Sequence, residues 1–378
     1  MNAQISFLGG SFTLIHIPLQ TYPCLIQPII RTLLPQTQSL KGSTSPPDRV
    51  RDGLTVDDQH GFLNVSVTPL ECSIVCHSSW AKNVFEPVIK NLPKDAAKAI
   101  SLSTDDYLVI SVISAGMDAA SRVMELTSPL ALAGISIFFI TTYYSDFILV
   151  PKKAQHAVTQ ALLKHGFQVA QNIPDYRFKG HDNPTTRSAQ TTSSISGLQT
   201  RTFELLQKSS VIPYIEDDLR LVQCSGREVS HLNQQFPHHS SRRPGNGNSR
   251  PSWLDHVDTK LYTAMISAFV SQPRFLSVTL AKEEPPSLLL DKTLLDIFGD
   301  SLVGDTEGEL VPIFLNLASL PYEATGIVCG VAGKLVSDME PQGSSELSYL
   351  STARAGAVIL STEQAVRALA ILKPMLEK

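Results

Sequence analysis

Apolar and polar positions follow two periods along the 378-residue chain. Short runs of β-branched and aromatic residues, such as Ser11–Ile17 and Tyr107–Ile113, predict strands. In Tyr22–Leu34 and Tyr322–Val336, apolar residues recur every three or four positions, which predicts helices. The stretch GISIFFITTYYSDFILV (Gly134–Val150) holds two apolar runs around a polar turn and predicts a β-hairpin.

The order of these elements repeats along the chain. Residues 104–170 predict β-α-β-β-α-β, the ferredoxin-like arrangement, and 309–378 repeat its core. Within the two hairpins, Ile140-Thr141-Thr142 matches Leu350-Ser351-Thr352. The sequence therefore predicts an α+β fold of tandem ferredoxin-like (βαββαβ) units packed in pairs, with a cleft for a small ligand between paired units.

The predicted divisions of the chain follow from composition as well as from this repeat. Two polar stretches are poor in large apolar residues, which is typical of linkers and loops. The predicted divisions are a first unit at 1–96 with a loop at 35–59, a second unit at 104–170, a linker at 171–210, a third unit at 211–300 with a low-complexity insertion at 226–252, and a fourth unit at 309–378.

Charge and cysteine usage exclude several classes of partner. The net charge of −4 offers no basic surface for nucleic acid or an anionic membrane. The longest apolar run, Pro129–Ile140, is shorter than the ~20 residues that span a bilayer. Five scattered cysteines and the absence of a basic stretch before Arg31 predict reduced thiols in a cytoplasmic protein.

Catalytic signatures are missing from the sequence. It contains no G-x-S-x-G, no Walker A motif and no H-E-x-x-H, and its histidines and cysteines lack metal-ligand spacing. We therefore predict no catalytic residue, no metal and no cofactor, and a protein that is not an enzyme.

Three segments resemble one family of binding proteins. They are ITTYYSDFILV (Ile140–Val150), TGIVCGVAG (Thr325–Gly333) and LST (Leu350–Thr352). With the order of the elements, they are similar to tandem ACT-domain proteins, and more narrowly to the Castor-type cytosolic arginine sensors of the TOR pathway. This resemblance implies a regulatory protein that binds a free amino acid between the second and fourth units. It also implies a signalling protein partner and a homodimer.

The resemblance implies a set of ligand contacts. The strand serine and its apolar neighbour correspond to Ser136 and Ile137, and the hairpin threonine corresponds to Thr352. The helix start whose backbone amides bind the ligand carboxylate corresponds to Gly326, Ile327 and Val328. The acidic position before that glycine is met by Glu323.

Some of these positions have simpler explanations. Ser136 also fits a strand serine bonded to the backbone, Gly326 a glycine required by helix packing, and Thr352 a turn residue. The family's aromatic residue and aspartate after the threonine are Ala353 and Gly356 here, so the identity of the amino acid stays open. Two further alternatives are a ligand-independent interaction scaffold and an allosteric subunit of an amino-acid biosynthetic enzyme.

Overall fold

The computed structural model describes residues 3–34, 61–114, 119–169, 195–227, 258–281, 284–339 and 347–377. Within them, the strands are β1 (Ala3–Phe7), β2 (Phe12–Ile17), β3 (Phe62–Val67), β4 (Cys72–His77), β5 (Ser101–Leu102), β6 (Tyr107–Ser114), β7 (Phe138–Thr141), β8 (Asp146–Pro151), β9 (Gln168–Val169), β10 (Pro213–Ile215), β11 (Leu221–Gly226), β12 (Leu276–Ala281), β13 (Ser287–Asp291), β14 (Leu302–Val303), β15 (Leu310–Asn316), β16 (Ser348–Ser351) and β17 (Ala355–Ser361).

The α-helices are mostly amphipathic, as their spacing of apolar residues predicted. They are α1 (Ile26–Leu33), α2 (Ser78–Trp80), α3 (Glu86–Lys90), α4 (Lys94–Ala99), α5 (Ala119–Leu132), α6 (Gln155–Lys164), α7 (Ile195–Lys208), α8 (Thr259–Val270), α9 (Leu295–Phe298), α10 (Ile327–Met339) and α11 (Thr362–Leu376). A π-helical turn, Ala81–Phe85, joins α2 to α3. No helix in these described ranges has the length and apolar character needed to cross a membrane.

Twelve strands form one closed antiparallel ring. Its order is β3-β4-β2-β6-β8-β7-β16-β17-β15-β11-β13-β12, and β12 returns to β3 through six residue pairs, from Leu276 opposite Val67 to Ala281 opposite Phe62. A single bridge, Leu350 opposite Ile140, joins β16 to β7. The shorter strands β1, β5, β9, β10 and β14 pair alongside the ring.

This ring overturns the predicted architecture. The expectation of an α+β fold of tandem ferredoxin-like ACT units packed in pairs was wrong, because the strands close into one barrel rather than into separate sheets. Local periodicity reports which segments are strands but not which strands pair, and β3 and β12 lie far apart in the sequence. The boundaries of the four predicted domains have no independent test and stay a prediction.

Apolar side chains fill the barrel and cover its outer surface. Along β8, Phe147 and Leu149 belong to the interior cluster, while Ile148 and Val150 belong to an outer cluster under the helices. This alternation is the period of a strand buried on both faces. A second outer cluster, around Trp80, lies under α1 and α8 on another part of the ring.

Helix α7 was not expected from the sequence. It lies within the predicted linker 171–210, where Ser, Thr and Gly are frequent. Its buried residues Leu198, Thr202, Phe203 and Leu206 form an apolar stripe that packs against the other helices. The loop at 35–59, most of the insertion at 226–252 and residues 171–194 lie outside the described residues.

Candidate functional site

Two hairpins meet edge to edge at the centre of the site. The Phe139 N–H donates to the Ser351 hydroxyl (2.9 Å), and the Tyr349 N–H donates to the Thr141 hydroxyl (3.0 Å). Each bond is the counterpart of the other under the internal repeat, which matches β7 with β16. The two hairpins are therefore related by a local twofold arrangement.

A pocket opens beside this junction. Its volume is about 50 Å³, well below the roughly 300–1,000 Å³ of typical small-molecule sites. Two stretches of the chain, 131–138 and 317–355, supply its walls. The lining residues are Ala131, Ile135, Ile137, Phe138, Leu317, Leu320, Pro321, Tyr322, Ala324, Gly326, Ile327, Val328, Cys329, Tyr349, Ser351, Thr352, Ala353 and Ala355.

Five of the seven predicted ligand contacts line this one pocket: Ile137, Gly326, Ile327, Val328 and Thr352. Ile137 precedes strand β7, Gly326 to Val328 lie at the start of α10, and Thr352 lies in the turn between β16 and β17. The resemblance therefore identified residues that the fold brings together.

The other two predicted contacts lie beside the pocket rather than in its wall. Ser136 is buried, at 9% exposure, between two lining residues, and it is not among the lining residues itself. Glu323 is exposed. The pKa of Lys153 is raised chiefly by the hydrogen bond that its ammonium group donates to Asp105, and the charge of Glu323 adds to that rise. Glu323 therefore acts on the protein surface.

The start of α10 forms one end of the pocket. Gly326 precedes the helix with φ +81°, a conformation that strains other residues. A Cβ there would also lie 3.0 Å from the Thr202 hydroxyl of α7, which donates to the Gly326 carbonyl (3.2 Å). The N–H groups of the first helical turn have no partner within the helix, and the helix dipole favours an anion beside them.

Tyr349 is the pocket residue that sequence reasoning missed. It is 1% exposed, and its buried hydroxyl has no hydrogen-bond partner among the described residues. A strand tyrosine between apolar residues is typical of a core position, so the pattern gave no reason to single it out. One signal was available, because the internal repeat aligns Tyr349 with Phe139, which has no hydroxyl.

The turn that carries Thr352 is bonded to the opposite side of the molecule. The Glu71 Oε1 atom accepts from the Thr352 hydroxyl (2.6 Å) and from the Arg354 N–H (2.6 Å). The Ala353 N–H donates to the Ser73 hydroxyl (3.0 Å). The position of this pocket wall therefore depends on the β3–β4 hairpin.

The matching turn of the other hairpin is bonded in the same way. The Ser145 hydroxyl donates to Glu284, and the Tyr143 N–H donates to the Ser287 hydroxyl (2.9 Å). The local twofold arrangement thus extends to the strands that support each turn.

A buried ion pair lies behind this second turn. Asp146 is 1% exposed, and its Oδ2 atom lies 2.5 Å from the Nε atom of Arg122. Burial raises the pKa of Asp146 to about 6, and the Arg122 guanidinium opposes that rise. The charged partner of Asp146 is thus an arginine of α5.

Metal and nucleophile chemistry have little support in the described part of the chain. No group of three His, Cys, Asp or Glu side chains there could hold a metal ion. Burial raises the pKa of the Cys224 thiol to about 12 and raises those of Cys72, Cys76 and Cys329, so these thiols stay protonated.

Comparison with known protein families assigns one segment of the chain. A family model described as the ACT domain matches residues 102–164, so an ACT domain is present there. This segment contains the pocket wall at 131–138, whereas the wall at 317–355 lies outside it. No curated protein matches the chain.

Several solved structures are similar at low sequence identity. A protein from Agobacterium tumefaciens is 16% identical, with 48% of this chain and 99% of that protein covered and a TM-score of 0.28. Aspartate kinase from Synechocystis is 10% identical, with 99% of this chain and 56% of that enzyme covered and a TM-score of 0.32. The ligand-free regulatory subunit of aspartate kinase from Thermus thermophilus is 12% identical, with 43% of this chain and 97% of that subunit covered and a TM-score of 0.26. The chain thus spans about half of the Synechocystis enzyme, and similarity at these TM-scores defines neither fold nor function.

Proposed function

We propose that this chain is a non-enzymatic regulatory protein that binds a free amino acid in the pocket at the start of α10. The observation that carries the proposal is the pairing of two features in one small pocket. The helix start offers N–H groups to a carboxylate, and the buried Tyr349 hydroxyl lacks a partner that a ligand would supply. The ACT domain at 102–164 supports it, since ACT domains in general bind amino acids.

The finer part of the proposal concerns what binding does. Filling the pocket changes the affinity of the protein for a signalling partner, in nutrient signalling of the TOR type. The resemblance of the hairpin and helix-start segments to Castor-type sensors supports this part. A ligand shifts such an equilibrium only by its difference in affinity for the two states.

A thermal-shift screen with the twenty amino acids at millimolar concentration tests ligand binding. Ala324 lines the pocket and is half-buried, so Ala324→Trp should fill the cavity and abolish stabilisation by the ligand. Ala318 lies exposed in the same loop outside the pocket, and Ala318→Trp is the matched control that should keep the response. If no amino acid stabilises the wild-type protein, the proposed ligand binding is wrong.

Partner capture with and without the stabilising amino acid tests the regulatory part. We expect capture to change with the ligand in the wild type and in Ala318→Trp, but not in Ala324→Trp. The small volume of the pocket favours one alternative, a scaffold that does not depend on ligand. Equal capture in all conditions would favour that alternative.

A further inference from the structure

The walls of the pocket carry no charge. Among the described residues that line it, none is Asp, Glu, Lys, Arg or His. The nearest carboxylate in sequence, Glu323, is exposed, and the Oε1 atom of Glu71 is already bonded to Thr352 and Arg354. Beyond the α-ammonium group that every free amino acid carries, a cationic side chain would add a second charge with no carboxylate among the lining residues, which is costly in a low-dielectric site.

The space for a carboxylate at position 356 is occupied. A Cβ on Gly356 would lie 2.6 Å from the Tyr349 hydroxyl oxygen. Tyr349 therefore takes the place that an acidic side chain on Gly356 would need. The residue of this pair that lines the pocket is the neutral Tyr349.

The other hairpin shows the opposite arrangement. The internal repeat aligns Gly356 with Asp146, and Tyr349 with Phe139. At that second position the buried carboxylate is present, and the guanidinium beside it belongs to Arg122 of the same chain. The half-buried guanidinium of Arg122 is thus paired with a carboxylate, Asp146, whereas the described residues that line the pocket include no carboxylate.

Size points in the same direction. At roughly 10–15 Å³ for one water-sized centre, about 50 Å³ holds only a few heavy atoms. Every free amino acid has more atoms than this, and serine, threonine and asparagine exceed the volume less than the extended arginine and lysine do.

We infer that the ligand is a small α-amino acid with an uncharged polar side chain, of the serine, threonine or asparagine class, hydrogen-bonded by the Tyr349 hydroxyl. The inference rests on the proposed function, because it assigns the ligand of the same pocket. Tyr349 acts as the specificity-determining residue. The ligand's polar atom supplies the partner that the buried hydroxyl lacks.

Calorimetric titration of the full chain with serine, threonine, asparagine, alanine, leucine, arginine and lysine tests this assignment. We expect serine, threonine or asparagine to bind at least tenfold more tightly than arginine and lysine. Because one hydrogen bond contributes about a factor of ten, we expect a similar preference for serine over alanine. Tyr349→Phe should abolish that preference.

Tyr214→Phe is the matched control. Tyr214 lies in β10 beside Phe314 and outside the pocket, so its loss of a hydroxyl should leave the preference unchanged. If Tyr349→Phe does not fold, Gly356→Ala provides a second variant. Its added Cβ displaces the Tyr349 hydroxyl and should lower the preference in the same way.

Each outcome separates this inference from the proposed function. Tightest binding of arginine, lysine or leucine overturns the inference and leaves amino-acid binding intact. Preferred binding of serine that survives both Tyr349→Phe and Gly356→Ala overturns the role of Tyr349. The absence of binding by every amino acid in the earlier screen overturns the proposed function itself.

Discussion

Two buried tyrosines differ in a single hydrogen bond. The Tyr22 hydroxyl donates to the Phe269 carbonyl (2.7 Å), whereas the Tyr349 hydroxyl has no partner in the described part of the chain. Burial raises the pKa of both phenols, so both stay neutral at physiological pH. A buried polar group without a partner costs free energy, and removing it relieves that cost.

We expect the substitution of phenylalanine to have opposite effects at these positions. Without ligand, Tyr349→Phe should raise the free energy of unfolding by about 1 kcal/mol, and Tyr22→Phe should lower it by about 1 kcal/mol. Urea unfolding of the two variants and the wild type measures both. A loss of stability in Tyr349→Phe would show that its hydroxyl has a partner in the free protein.

Asp146 gives stability a defined dependence on pH. Its pKa of about 6 in the folded protein lies above the value of about 3.9 for an unfolded chain. The contribution of this carboxyl is therefore fully present below pH 4 and is lost as pH rises through 6. We expect the stability of the wild type relative to Asp146→Asn to fall by about 2 kcal/mol between pH 4 and pH 7.

Urea unfolding of both proteins at several pH values in this range measures the difference. A relative stability that rises with pH would contradict the prediction, because it would mean that the ion pair with Arg122 outweighs burial.

At the scale of elements, local pattern predicted most strands and helices but not their pairing. Tyr107–Ile113 was predicted where β6 (Tyr107–Ser114) lies, and Tyr322–Val336 overlaps α10 (Ile327–Met339). Helix α7 was missed because its polar composition is typical of a linker, and its buried stripe is explained only by the helices that it packs against, α5, α10 and α11. The closed ring could not be predicted from the sequence, since pairing between distant strands leaves no periodic signal.

The candidate site divides in the same way. The resemblance named Gly326 and Thr352, which also have the local patterns of a helix start and a turn, and both line the pocket, while their role in binding stays a prediction. Tyr349 is of interest because its buried hydroxyl has no hydrogen-bond partner among the described residues, and no sequence pattern reports such an absence.

The packing of α7 on α10 depends on two helix glycines that differ in their neighbours. A Cβ on Gly330 would lie 2.7 Å from Cγ2 and 2.8 Å from Cβ of Thr202, close to the backbone of α7. A Cβ on Gly333 would meet only the flexible ends of Gln199 and Met124. The ends of Gln199 and Met124 can move away from an added Cβ on Gly333, whereas Cβ of Thr202 is fixed to the backbone and cannot move away from one on Gly330.

We therefore expect Gly330→Ala to lower the free energy of unfolding by about 1–3 kcal/mol. In Gly333→Ala, the better helix propensity of alanine, up to about 1 kcal/mol, should offset the contact and leave stability nearly unchanged. Chemical denaturation of the two variants compares them directly. Equal losses would mean that the α7–α10 contact is uniformly rigid.

At the scale of the whole molecule, two carboxylates join the hairpins to distant strands. Glu71 accepts the Arg354 N–H next to the pocket, and Glu284 accepts the Ser145 hydroxyl on the other hairpin. We expect Glu71→Ala to speed hydrogen exchange of the Arg354 amide at least tenfold, because that amide loses its acceptor. In Glu284→Ala, the Arg354 amide should keep its wild-type exchange rate.

Amide exchange followed by NMR tests this pair of variants. If both variants speed exchange at Arg354 equally, the turn is stabilised by the barrel in general rather than by Glu71.

The closed ring also decides how another protein can be recognised. Each of its twelve strands has a hydrogen-bonded neighbour on both sides, so the ring cannot accept an extra strand from a partner. A partner that distinguishes the filled from the empty pocket would therefore contact the outer helices, the loops between elements or the short strands beside the ring, such as β9 and β10. Its recognition would depend on the shape and chemistry of that surface rather than on backbone pairing with the ring.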